Sequence, residues 1–316
     1  MHALHIPTLG GELDRPPPGA DPKRKTATRG EHLRADSAPI VPHPRRRSAH
    51  PMTRLSVKKT YKLYVGGEFP RSESGRTFDA EGHNVARASR KDARDAVRAA
   101  RTAFPAWSGM TAYNRGQVLY RLAEMMEARA TDLAHACTGG DEVESAIDRV
   151  VWYAGWADKL AQVLGSSNPV AGPYFDFTIP EPTGVVAILA PGEPPLLGLV
   201  SRLLPALTGG NTVVAVAAAA HPVAAVELAE ALATADFPAG AVNVLTGFAD
   251  ELAPWLAGHM DVNAIDLTGI EGPTAELEQA AAENVKRVVR SSADTQSPWE
   301  IEGFLELKTV WHPIGL

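Results

Sequence analysis

The sequence predicts an α/β fold with a parallel sheet flanked by helices, and three observations predict it. Short β-branched or apolar runs recur at 185–189, 212–216, 242–245 and 263–267. Helical stretches lie between them, at about 195–207, 222–235 and 251–259. Strands alternating with helices imply parallel pairing through right-handed crossovers. Hydrophobic residues make up 45% and charged residues 22%, the balance of a soluble globular chain able to bury such a sheet.

The elements follow in order. Residues 1–51 stand apart: they hold 9 of the 25 prolines, no Phe, Trp or Tyr, and nine basic against five acidic side chains, a net +4. With so little apolar surface they are expected to be disordered, or to precede a true start at Met52. From Tyr61 to Val65, then Gly66-Gly67 and Phe69, the pattern reads as a hairpin. Ser89 followed by Asp92 caps a helix running through Ala93, Val97, Ala100 and Phe104. A second helix is expected over 112–136, with Leu119, Leu122, Met126 and Leu133 on one face. A third, starting at Glu142, spaces Val143, Ile147, Val150, Ala154, Leu160 and Leu164 along an apolar face. After the α/β segment, a helix at 274–283 leads to a run at 285–289, and 305–311 reads as a lone amphipathic strand.

Several function classes fall away. The total charge of −6 leaves −10 for residues 52–316, which argues against nucleic acid and anionic membranes. One cysteine, Cys137, excludes an internal disulfide framework and reads as a buried or inert thiol. The ten histidines show no ligand spacing, so no metal site is expected. No apolar run approaches the ~18 residues of a membrane span, and the default location is cytoplasmic.

The residues also carry a family resemblance. The run Glu181-Pro182-Thr183-Gly184-Val185-Val186-Ala187-Ile188-Leu189-Ala190-Pro191, then Gly209-Gly210-Asn211-Thr212-Val213-Val214, then Gly240-Ala241-Val242-Asn243-Val244-Leu245-Thr246-Gly247, resembles the aldehyde dehydrogenases. So do Tyr64-Val65-Gly66-Gly67-Glu68 and the segment from Tyr153 to Lys159. The resemblance implies a Rossmann-like nucleotide-binding-type domain over 52–290, an oligomerisation arm at about 168–182, and a linker with an assembly strand over 291–316. It implies NAD(P) as the family's cofactor, with Ala190, Pro191, Gly192, Glu193, Val216, Gly247, Thr268 and Gly269 at the positions that would hold it.

Those positions depart from the family's chemistry. Gly192-Glu193 stands where the family has Trp-Asn, and an ionised carboxylate repels the oxyanion that an amide would stabilise. Val216-Ala217-Ala218-Ala219 replaces a Lys-Pro-Ser-Glu run that holds ribose hydroxyls. Gly247-Phe248-Ala249 loses the second glycine of a Gly-x-Gly turn. Thr268-Gly269-Ile270-Glu271 places a carboxylate where pyrophosphate would meet a helix N-terminus. After 284–289 comes Arg290-Ser291-Ser292 instead of the general-base loop, and the catalytic domain is missing.

No catalytic residue and no bound cofactor are therefore expected. Glu193 is read as a solvated or helix-capping carboxylate, or as a base in a new site. The end of the chain, Leu307-Lys308-Thr309-Val310-Trp311-His312-Pro313, resembles the family's assembly strand. With its ending it is similar to the non-catalytic C-terminal module of the family-16 aldehyde dehydrogenases. The expected role is a pseudoenzyme, an assembly or regulatory subunit that pairs through Leu305 to Trp311 with itself or a full-length aldehyde dehydrogenase. The alternative is NAD(P)-dependent oxidation of aldehydes inside a complex whose partner supplies Cys and Glu.

Overall fold

The computed structural model describes residues 58–137 and 139–315, so the extension at 1–51 lies outside the described residues. Strands β1 (Thr60–Tyr61), β2 (Thr77–Ala80) and β3 (His83–Ala86) form a small sheet in the order β1-β3-β2. The expected hairpin is present but short. Gly66 and Gly67 take φ of 63° and 84°, a region closed to most side chains. Val65 pairs with Glu68 and the Leu63 amide donates to the Pro70 carbonyl at 3.2 Å, while the alternate residues pair elsewhere: Tyr64 exchanges bonds of 2.9 and 2.7 Å with Val244, and β1 runs parallel to β3.

Helix α1 (Arg90–Ser108) starts as read from Ser89 and Asp92. The Ser89 hydroxyl accepts from the Lys91 and Asp92 amides, and the Asp92 carboxylate accepts from the Ser89 amide at 2.8 Å. The expected helix at 112–136 is two, α2 (Ala112–Ala128) and α3 (Ala130–Ala136). They break at Arg129, whose guanidinium meets Glu230 at 3.2 Å. The expected third helix also divides, into α4 (Gly140–Ala154) and α5 (Leu160–Leu164), because the chain turns at Gly155 while the apolar spacing carries on. Cys137 sits half-buried just after α3.

Strands β4 (Ser166–Asn168) and β5 (Tyr174–Pro182) precede the central unit. That unit runs β6 (Val185–Leu189), α6 (Pro195–Thr208), β7 (Thr212–Val216), α7 (Pro222–Leu232), β8 (Val242–Leu245), α8 (Ala249–Gly258), β9 (Ala264–Asp266), α9 (Ala275–Ala282) and β10 (Arg287–Val289). Every neighbouring pair in the order β10-β9-β6-β7-β8 is parallel. Side chains of β6 alternate between two cores: Val185, Ala187 and Leu189 pack with α1 and α8, and Val186 and Ile188 with α6 and α7. Burial on both faces explains why these strands were the easiest to read.

A short helix α10 (Pro298–Glu302) leads to β11 (Leu305–Pro313). The expected lone strand has a partner in its own chain. It pairs antiparallel with β5, from Leu305 opposite Pro182 to Pro313 opposite Tyr174. The other edge of β11 bounds the sheet β11-β5-β4, and Phe175, Ile179, Leu307, Val310 and Trp311 stay exposed on it. Among the described residues, no helix is long and apolar enough to cross a membrane.

Asn211 joins three of these parts. Its amide oxygen accepts from the Gly184 amide at 2.9 Å, and its nitrogen donates to the Ala206 and Phe304 carbonyls at 3.0 and 2.9 Å, all without solvent. Asn211→Leu leaves the buried Gly184 amide unpaired, at about 1–3 kcal/mol, while the Ala206 carbonyl keeps the Asn211 backbone amide and the Phe304 carbonyl keeps Thr183 as donors. The expected result is a stability loss of about 1–3 kcal/mol in urea unfolding.

Candidate functional site at the strand ends

The C-terminal ends of β6, β7, β8 and β9 gather every position singled out in the sequence. Ala190 and Pro191 close β6 and are buried, Gly192 is half-buried, and Glu193 is exposed. Val216 ends β7 at 1% exposure. Gly247 follows β8 with φ 146°, and a Cβ there would crowd the Ala88 backbone. Gly269 follows β9, where a Cβ would lie 2.2 Å from the Ala190 carbonyl oxygen. Both glycines are thus required by backbone approach within the chain itself.

Glu193 does not cap the following helix, which corrects one of the readings above. Its carboxylate lies 3.0 Å from His221 Nε2, while His221 Nδ1 lies 2.8 Å from the Glu81 carboxylate. The imidazole therefore bridges two carboxylates, one from the β6–α6 loop and one from the β2–β3 turn. The first amides of α6 are capped from another element: Glu142, in α4, accepts from the Leu196 and Leu197 amides at 2.7 and 3.0 Å. A carboxylate of the chain already fills the place where a helix N-terminus would receive an anion.

Thr268 is committed to a closed ring of bonds. Its hydroxyl donates to Asp266 at 2.5 Å and accepts from the Ser291 amide at 3.0 Å. The Ser291 hydroxyl donates to Glu300 at 2.9 Å. Arg202 closes the circuit, donating to Glu300 at 2.6 Å and to Asp266 at 2.7 Å. Arg202 and Asp266 have no exposed side-chain surface. Burial alone would lower the guanidinium's pKa, and the two carboxylates more than reverse this, holding it above its ordinary value. Beside the ring, Arg149 donates to Ser201, Gln296 and the Thr295 carbonyl. Tyr153 donates to the Ser297 carbonyl at 3.3 Å, and burial pushes its hydroxyl up to about 12.

The family model for the aldehyde dehydrogenase family matches residues 79–292. The chain belongs to the aldehyde dehydrogenase family. Retinal dehydrogenase 2 of Gallus gallus is 36% identical over 75% of this chain and 49% of its own length. Aldehyde dehydrogenase, cytosolic 1 of Elephantulus edwardii is 34% identical over 75% and 51%. An NAD+ complex of aldehyde dehydrogenase from Bacillus cereus superposes with a TM-score of 0.67 at 27% identity, over 73% of this chain and 50% of that one. PnpE from Pseudomonas sp. WBC-3 gives 0.68 at 30% identity, over 74% and 51%. The chain spans about half the length of the relatives it matches.

At the strand ends, the side chains of this family member differ from those that the resemblance implies for holding a dinucleotide. Val216, Ala217, Ala218 and Ala219 offer only alkyl groups at the end of β7 and in the turn after it. Glu193, Glu81, Asp250, Glu251 and Glu271 bring negative charge to the same edge, against two phosphates. The nearby Arg87 is engaged by Glu251, and His221 by its two carboxylates. The bonding partners Glu142, Arg202, Glu300 and Glu81 were missed in the sequence reading. Their bonds to Leu196, Asp266, Arg202 and His221 span 54 to 140 residues, so no local spacing marks them.

The ring has a measurable weight. Asp266→Ala removes the buried partner of Arg202, and breaking a buried pair from one side costs about 3–5 kcal/mol. Glu300→Ala is expected to cost less, since its side chain is 16% exposed and water can replace it. Thermal unfolding of the two variants tests the order.

Proposed function

We propose that this chain is a catalytically inactive member of its family, an assembly or regulatory subunit of an active aldehyde dehydrogenase in the cytoplasm. The observation that carries the reading is the path after β10. Ser291 is tied into the ring with Thr268 and Glu300, and the chain reaches β11 through α10 alone. No general-base loop or nucleophile segment fits between them. The sheet β11-β5-β4 leaves the edge of β11 open, with the side chains of Leu307, Val310 and Trp311 exposed. An open strand edge beside exposed apolar groups accepts another strand readily. The occupant is a full-length aldehyde dehydrogenase or a second copy of this chain.

A second reading draws on the likeness to an NAD+ complex at 27% identity. In it the chain holds NAD(P) weakly, and a partner supplies the Cys and Glu. Saturable NAD binding below about 1 mM, removed by Gly192→Asp at the strand ends, would favour this second reading.

The subunit role is tested by purifying the tagged chain from its native host and sizing it by light scattering. The expected result is a complex with a full-length aldehyde dehydrogenase or a homo-oligomer, lost in a Val310→Lys, Trp311→Glu double variant that keeps its helical circular dichroism. A monomer without companion overturns the proposal.

A further inference from the structure

On the sheet face away from α6 and α7, helices α1 and α8 pack side by side. A cleft of about 590 Å³ lies between them, lined by Arg90, Lys91, Arg94, Trp255 and His259, with Leu256 among the apolar wall. That volume falls in the range of small-molecule sites, about 300–1,000 Å³. None of the strand-end positions lines it, and no carboxylate does.

The floor is unusual for a chain whose residues 52–316 carry net −10. Trp255 is 45% exposed, and the Arg90 guanidinium sits 3.5 Å from its ring centroid. Among the described residues Arg90 meets no carboxylate within ion-pair distance; its only recorded partner is that ring. Lys91 and Arg94 are held only by exposed pairs, with Glu73 at 3.5 Å and Asp95 at 3.1 Å. Such pairs contribute little and exchange easily for a better anion. The helix end is not the attraction, since Ser89 and Asp92 already satisfy its first amides.

We propose that the α1–α8 cleft binds a small planar anion, and that a nucleoside phosphate is the class of ligand it takes. The base stacks on the Trp255–Arg90 platform, as aromatic and guanidinium planes accept bases in general. The phosphate lies against Arg90, Arg94 and Lys91, where guanidinium forks give charge-assisted bonds. The inference stands apart from the strand-end site and from the assembly role.

The test titrates the full chain with AMP, adenosine and inorganic phosphate by calorimetry and tryptophan fluorescence. AMP is expected to bind saturably below about 1 mM, with each component alone at least about tenfold weaker, as two joined contacts require. Arg90→Ala and Trp255→Leu are each expected to weaken AMP by about tenfold or more, the effect of one charge-assisted or stacking contact. Both side chains are exposed, so melting temperatures should hold; Lys91→Ala with Arg94→Ala provides a second check. His221→Ala, at the strand ends, should leave AMP binding unchanged. Absence of saturable AMP binding, equal affinity for phosphate alone, or binding that survives Arg90→Ala and Trp255→Leu but not His221→Ala, overturns the proposal.

Discussion

Asp266 is a carboxylate without exposed surface at the end of β9, and the arrangement of the strand ends depends on how it is compensated. An isolated buried charge is prohibitive, so the fold must bring a cation and hydrogen-bond donors to it. Arg202 comes from the middle of α6, and Thr268 supplies its amide and hydroxyl from the next turn. Because Arg202 also needs Glu300, and Thr268 also accepts from Ser291, the segment after β10 is drawn onto the same edge. The same residues that compensate one charge thus tie the segment after β10 to the strand ends.

Two kinds of position meet at the strand ends. The backbone approaches at Gly247 and Gly269 serve packing, so they persist whether or not a ligand follows. Side chains that would touch phosphate or ribose serve no packing role, and alkyl groups or carboxylates stand in their places. The β11–β5 ladder is tied to the core through Asn211, which grips the Phe304 carbonyl one residue before β11 starts. The β11–β5 sheet and the core are therefore coupled, while no such coupling holds the strand-end side chains to a fixed chemistry.

The sequence made the central sheet legible because burial on two faces imposes unbroken apolar runs; β6, β7 and β8 begin and end where read. The capping box at Ser89 was legible for a similar reason, both partners being local. Breaks inside helical spacing were not: the turns at Arg129 and Gly155 interrupt apolar faces that continue beyond them. The β2–β3 hairpin was missed because its strands are short and half exposed, without clear alternation. At the site, the eight positions that the resemblance implies lie together at the strand ends. Their bonding partners were hidden, because Glu142 for α6 and Glu81 for His221 come from distant elements that only tertiary packing brings near.

Amide hydrogen exchange at Thr268 and Ser291 tests most directly whether the chain closes its own strand ends. Both amides donate inside the ring, to Asp266 and to the Thr268 hydroxyl. The account predicts protection approaching that of the β6 and β7 core, because opening the ring exposes a buried ion pair. Exchange of both amides at the rate of a solvated loop, with the core still protected, would contradict it and leave the strand ends open to cofactor or to a partner's catalytic domain.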